Sequence, residues 1–221
     1  MSGQASLVLF DLDGTLIDSA PDLAAAANAM RVERGLPPLP LAALRPWVGS
    51  GARGMLGAAF ALSPEDPRFM AMRDEFLDRY SAASLVHTVV FESIVPVLDH
   101  LDKLGLRWGI VTNKATRFTL PIVEGLGLGP RAAAVVCGDT TPHSKPHPAP
   151  LLEAAQRAGA LPANCVYLGD DHRDIVAGRA AGMAVLAAGW GYLGQGTPIE
   201  AWGADAVLPA PANLLNWLEL A

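Results

Sequence analysis

Short apolar runs alternate along this chain with helical stretches, and that alternation narrows the fold more than any other feature of the sequence. Leu7 to Phe10, Trp108 to Val111, Ala133 to Cys137, Cys165 to Leu168, Met183 to Ala187 and the weaker Ala206 to Leu208 have the length and apolar continuity of buried strands. Helical spacing runs between them over Val95 to Leu104, Ala115 to Leu126, Pro148 to Ala158, Arg173 to Ala181 and Ala212 to Leu218. Gly105, Gly127, Gly159 and Gly182 stand where such helices stop. Strand then helix, repeated, predicts a parallel α/β sheet. With 221 residues, 51% of them hydrophobic, the chain can bury one such core and a small accessory unit.

One segment breaks the pattern. From about Asp18 to Thr88 the signals are helical with no convincing strand, which predicts a helical cap over residues 18–88 inserted into an α/β core of residues 1–17 and 89–221. Ser19, Pro21 and Asp22 read as the N-cap, first-turn proline and first-turn acid of a helix that stops before Gly35. SerProGluAsp at Ser63 to Asp66 opens a second long helix, whose stripe of Phe69, Met72, Phe76, Leu77 and Tyr80 reads as cap core.

Charge and leader signals restrict the partners. A formal net charge of -6 leaves no basic stripe for a nucleic-acid backbone, though one local cation suffices for a small anion. The N-terminus has no basic leader, and no segment approaches the roughly 20 apolar residues of a membrane span, so a cytoplasmic protein without a membrane partner is expected. The two cysteines, Cys137 and Cys165, lie beside apolar runs and read as buried free thiols.

The chemistry-bearing residues fall just beyond the expected strands. PheAspLeuAspGlyThrLeuIleAspSer, Phe10 to Ser19, follows the first, and ligands of open α/β sheets sit at the carboxyl ends of strands. Asp11 and Asp13 are close enough to repel unless a cation intervenes, which predicts Mg2+ with oxygen ligands. ValThrAsnLys, Val111 to Lys114, brings a hydroxyl and amides to the same edge. HisSerLysProHisPro, His143 to Pro148, presents Lys145 before a helix, and GlyAspAspHisArgAsp, Gly169 to Asp174, adds further acids. Each station alone has a bland reading, Thr112 as a helix cap and Lys145 as a solvated cation; their order and placement make the set specific.

These four stations resemble the four motifs of the haloacid dehalogenase superfamily, phosphatase branch, across essentially the whole chain, and the insertion resembles that family's small helical cap. The resemblance implies a Rossmann-like core and a Mg2+-dependent phosphatase acting on a small phosphorylated metabolite. It makes Asp11 the nucleophile and a metal ligand, and Asp13 the general acid and base whose backbone carbonyl also meets Mg2+. Thr112 and Lys145 would hold the phosphoryl oxygens, Asp170 would be the third protein ligand, and Asp171 and Asp174 supporting acids. Elementary electrostatics agrees: a carboxylate attacking a phosphate dianion needs positive charge on the non-bridging oxygens, and a second acid must protonate the leaving oxygen and later activate water.

Asp13 argues against dehalogenation, and the absence of any lysine between residues 18 and 88 argues against mutase or phosphonate chemistry that relies on a cap lysine. Receiver domains also phosphorylate an aspartate beside a threonine and a lysine, but need no cap. Gly49, Gly51 and Gly54 fit GxGxxG without the strand and βαβ unit of a dinucleotide site, since Pro46 precedes them. Cys137, His143, His147 and Cys165 match no zinc spacing, and His172 reads equally as a site residue or a solvent-facing helix start. The cap is similar to those of bacterial phosphoglycolate phosphatases and N-acetylmuramic acid 6-phosphate phosphatases. Both substrates carry a carboxylate, so Arg53 in the loop ValGlySerGlyAlaArgGly, with Asn113, is the expected substrate contact, Arg45 being the alternative, and 2-phosphoglycolate the leading substrate.

Overall fold

The computed structural model describes residues 5–220. Its strands are β1 (Leu7–Phe10), β2 (Ile17–Asp18), β3 (Val89–Val90), β4 (Arg107–Val111), β5 (Val135–Val136), β6 (Cys165–Gly169), β7 (Ala184–Ala188) and β8 (Ala206–Leu208). Its α-helices are α1 (Ala20–Glu33), α2 (Leu41–Leu44), α3 (Gly51–Phe60), α4 (Phe69–Ala82), α5 (Val95–Lys103), α6 (Thr116–Gly125), α7 (Ala149–Arg157), α8 (His172–Ala180) and α9 (Asn213–Trp217). Six strands form one parallel sheet in the order β5-β4-β1-β6-β7-β8, the doubly wound arrangement expected of a Rossmann-like core.

Period-two side-chain direction explains how the sheet is covered. Val8, Phe10, Val166, Leu168 and Leu186 face a core shared with the inserted helices, whereas Leu7, Leu9, Cys165 and Tyr167 face a second cluster with Leu151, Ala154 and Ala155 of α7. Both cysteines are free and buried. Gly105, Gly127, Gly159 and Gly182 all have positive φ just past helix ends, the left-handed stop that a side chain would strain.

The insertion is tied to the core by two features too short to carry a periodic signal. β2 and β3 pair antiparallel, Ile17 opposite Val90 and Asp18 opposite Val89, where the chain leaves the core and returns. Asp22, expected as a first-turn acid, is 3% exposed and accepts bonds from the backbone of His87 (3.0 Å) and Thr88 (2.9 Å) and from the Thr88 hydroxyl (2.8 Å), pinning the return path to α1. Ser19 holds the N-cap position of α1 without capping it; its hydroxyl goes to Asp13 instead. Inside the insertion Phe69, Met72, Phe76 and Tyr80 of α4 are buried as the stripe predicted, and α4 packs on α1 and α3. The GxGxxG stretch forms a 3-10 turn and the start of α3, with no strand before it. No helix among the described residues is long and apolar enough to cross a membrane.

Candidate functional site

Strand register assembles the site. Phe10 lies opposite both Ile110 and Leu168, so Asp11 stands level with Val111 and Gly169, and Thr112 and Asp170 follow one residue beyond. The Asp11 amide still bonds to Leu168 O (2.9 Å) and the Thr112 amide to Val136 O (2.9 Å), so ladder bonds fix the backbone under each side chain. Gly14 turns the chain away with φ of 82°, and a Cβ there would overlap the Asp170 carboxylate. The result is a cavity of about 370 Å3 between sheet edge and insertion, lined by Asp11, Asp13, Thr112, Asn113, Lys145, Asp170, Asp171 and Asp174.

Lys145 is the hub. Its side chain is 2% exposed and its ammonium lies 3.0 Å from Asp11 Oδ1 and 2.7 Å from Asp174 Oδ1. It also donates to Val111 O (3.0 Å) and Tyr167 Oη (2.7 Å). Burial alone would lower its pKa; Asp11 and Asp174 outweigh burial and hold the ammonium protonated. Asn113 fixes the loop that carries it, its side-chain amide bonding the Lys145 backbone through both N–H (2.9 Å) and C=O (2.9 Å). Asn113 thereby braces the loop, and it also lines the cavity in which a substrate contact was expected of it.

Asp11, Asp170 and Asp174 bring ligand oxygens within 4.8 Å of one another, an all-oxygen set suited to a hard divalent cation. Three carboxylates here meet one ammonium, so negative charge is in excess. Burial, against Lys145 and with Asp174, pushes Asp11 up to about 7. Burial and the charges of Asp11 and Asp174 push Asp170 well above the ordinary carboxylate range. Asp170 is aimed by Thr15 Oγ1 (3.1 Å) and the Tyr192 amide (2.7 Å). Asp174 already accepts from Lys145, Tyr167 Oη (3.0 Å) and the Asp171 amide (3.0 Å), which suits a supporting acid more than a ligand. Asp171 caps α8 and pairs with Arg173 (2.8 Å), whose bonds outweigh burial and keep it ionised.

Sequence reasoning missed several participants. Tyr167 was legible only as part of an apolar strand, although a tyrosine on a fully buried strand must find a partner for its hydroxyl. Tyr192 accepts from the amides of Ser19 (2.9 Å) and Ala20 (3.1 Å) and donates to Asp18 (3.0 Å). Arg173 reaches from Asp171 to the carbonyl of Gly49, joining α8 to the insertion. Arg45 and Arg53 stand apart from the cavity lining. Arg45 binds Asp18 through two N–H···O bonds of 2.9 Å beside β2, and Arg53 is exposed on the side of Glu65. His172 is also exposed, against Trp202. The insertion instead presents Leu23, Val48, Phe76, Leu77 and the Gly49–Gly51 backbone.

Comparison with known proteins agrees with this arrangement. Residues 8–188 match the family model of the haloacid dehalogenase-like hydrolases. A phosphoglycolate phosphatase of Xanthomonas campestris pv. campestris is 49% identical over 94% of this chain and 93% of its own. An N-acetylmuramic acid 6-phosphate phosphatase of Pseudomonas putida is 43% identical over 97% of this chain and 96% of its own. The crystal structure of a predicted phosphoglycolate phosphatase from Haemophilus somnus superposes with a TM-score of 0.84 at 28% identity, covering 97% of this chain and 98% of that one. The chain belongs to the haloacid dehalogenase-like hydrolase family and is a phosphatase within it.

Proposed function

We propose that this phosphatase transfers a phosphoryl group from a small carboxylate-bearing phosphomonoester to Asp11 and then to water, in a Mg2+-dependent reaction. The observation that carries the reading is the excess of buried negative charge at Asp11 and Asp170 around one lysine. Asp11, the Asp13 carbonyl and Asp170 are the residues that would hold the cation, which when bound supplies Lewis-acid charge neutralisation at the phosphoryl oxygens.

The chain's own residues account for the remaining tasks. Asp11 Oδ1 is engaged by Lys145 and the Leu12 amide (2.7 Å), leaving Oδ2 to attack phosphorus. As that P–O bond forms, the ester P–O bond breaks and its oxygen takes a proton from Asp13. In the second half, Asp13 takes a proton from a water whose oxygen attacks phosphorus, and the Asp11–phosphorus linkage breaks, releasing phosphate. Lys145 and Thr112 bind the non-bridging oxygens through both halves. Asp174 and Tyr167 orient Lys145, and Asp171 caps α8 while holding Arg173.

A specific observation favours the bulkier of the two substrate types named above. The cavity's volume of about 370 Å3 is in the range that encloses a drug-sized ligand and is several times the bulk of a two-carbon acid phosphate. Its insertion side is apolar, and each cationic side chain lining it, Lys114, Lys145 and Arg173, already faces a carboxylate. A pyranose ring with N-acetyl and lactyl groups fills such a space against Leu23, Val48, Phe76 and Leu77. The test is steady-state kinetics on N-acetylmuramic acid 6-phosphate and 2-phosphoglycolate, with Mg2+ and with chelator. A higher kcat/KM on the sugar acid is expected; preference for 2-phosphoglycolate would reject the size reading, and full activity in chelator the metal.

A further inference from the structure

Lys114 has no part in the steps above, yet it is among the best-enclosed cations of the molecule. Its side chain is 9% exposed, its ammonium lies 2.6 Å from Asp13 Oδ1, and the Tyr80 ring centroid of α4 is 5.0 Å away on another side. Its backbone is rigidly held: the amide donates to Thr112 Oγ1 (3.1 Å), and the carbonyl accepts from Gly138 N (2.9 Å) and Thr119 Oγ1 (3.1 Å). We propose that Lys114 is a positioning residue for Asp13, and that Tyr80 on the inserted helix holds Lys114 in place, so that the proton-transfer group is aimed only while the insertion is seated on the core.

The hydrogen bonds at Asp13 carry this. Both of its side-chain donors, Lys114 Nζ and Ser19 Oγ, converge on Oδ1. Among the described residues Oδ2 receives none, so the carboxyl plane is fixed from one side and its other oxygen is left to the cavity that Asp13 lines. A carboxyl free to rotate would offer a leaving group either oxygen, or neither; one clamped at Oδ1 offers Oδ2 in one orientation. Both clamps depend on the insertion. Ser19 is the residue just before α1, and Tyr80, 2% exposed, lies inside the buried cluster of α4. Its ring lies 5.0 Å from the ammonium that Asp13 neutralises, close enough to attract it.

The proposal rests on Asp13 serving the leaving oxygen, and the experiment separates the two. Lys114→Met keeps the length and burial of the side chain and removes the donor. Its kcat/KM, with that of Asp13→Asn, is measured on an alkyl phosphate, whose leaving oxygen needs a proton, and on p-nitrophenyl phosphate, which leaves as a stable anion. Lys114→Met is expected to lose about 100-fold on the alkyl ester and less than about fivefold on the aryl ester, within the range of general acid catalysis, with the Mg2+ concentration for half-activity unchanged. Lys114→Arg should recover to within about tenfold of wild type, and Tyr80→Leu should repeat the leaving-group dependence at about tenfold. Equal losses on both esters, or none on either, in Lys114→Met overturn the positioning role while Asp13→Asn still discriminates. If Asp13→Asn fails to discriminate, the acid role of Asp13 falls instead. Should Lys114→Met not fold, Tyr80→Leu decides by the same ratio, its equal loss on both esters being the overturning result.

Discussion

On the core side of the cavity Asp11 and Asp174 pair with Lys145 and cluster with Asp170, with nearly every polar atom partnered, whereas the inserted side offers Leu23, Val48, Phe76 and Leu77 with the backbone of a glycine loop. The first surface is rigid and electrically unbalanced, as suits a group whose charge changes during reaction. The second is apolar and shape-dependent, as suits discrimination by size. On the reading proposed above, bond making and breaking rest on the core side and size selection on the apolar inserted lining; apart from the Ser19 and Tyr80 contacts that reach Asp13 and Lys114 from the insertion, changes to that lining should leave the chemical signature intact.

The largest effect expected is at Asp11. Asp11→Asn should lower kcat at least about 10³-fold on every phosphomonoester, because an amide is a far poorer nucleophile. A purified, folded variant keeping more than about one percent of the wild-type rate would show that the attacking group is elsewhere.

Next in size is the consequence of excess charge for stability without metal. Asp11 titrates at about 7 folded against 3.8 ordinarily, so between those values the folded chain binds more protons than the unfolded one. Stability of metal-free protein should fall as pH rises from about 4 to 7, by on the order of 3 kcal/mol, and level off above. Asp170 acts in the same direction. Added Mg2+ should flatten the profile. Urea unfolding in chelator at pH about 5 and about 8 checks this; equal stability at both would remove the charge excess from the core-side description.

The inserted side gives a smaller effect. Leu77→Ala should lower kcat/KM on N-acetylmuramic acid 6-phosphate by about fivefold to tenfold, the loss of part of an apolar contact, and leave p-nitrophenyl phosphate nearly unchanged. Equal losses on both would blur the division between the two surfaces. Smallest is Arg53→Ala, for which the sequence suggested a substantial loss of carboxylate recognition. Outside the cavity lining it should change kcat/KM on either substrate by less than about twofold, and a tenfold loss would put the arginine back in the site.

The division also explains what the sequence disclosed. β1, β4, β6 and β7 lie within a residue of where apolar runs placed them, because each is buried between neighbours on both sides. The edge strand β5 pairs with β4 alone and shrinks from the expected Ala133 to Cys137 to Val135–Val136. The core-side acids and Thr112 were legible because they sit at or just beyond strand ends, and Lys145 because it stands in the loop just before a helix. The hinge strands have two residues each, below any periodic signal. Lys114–Asp13 and Tyr192–Asp18 join residues 101 and 174 positions apart, pairings that one sequence does not display. The glycine loop invited a substrate-facing Arg53, but the turn into α3 presents Gly51 and Ala52 to the cavity and directs the arginine outward.

Because Ile17 and Asp18 pair with Val90 and Val89, the two ends of the insertion are a few ångströms apart, and the sheet sees those seventy or so residues as the interior of a hairpin loop. Loop length costs a fold little once its ends are fixed. The insertion is in that sense an exchangeable cassette: another helical unit whose ends meet at the same spacing could be spliced in without altering the register of any core strand, provided that it rebuilds the contacts that Tyr80 now makes with Lys114.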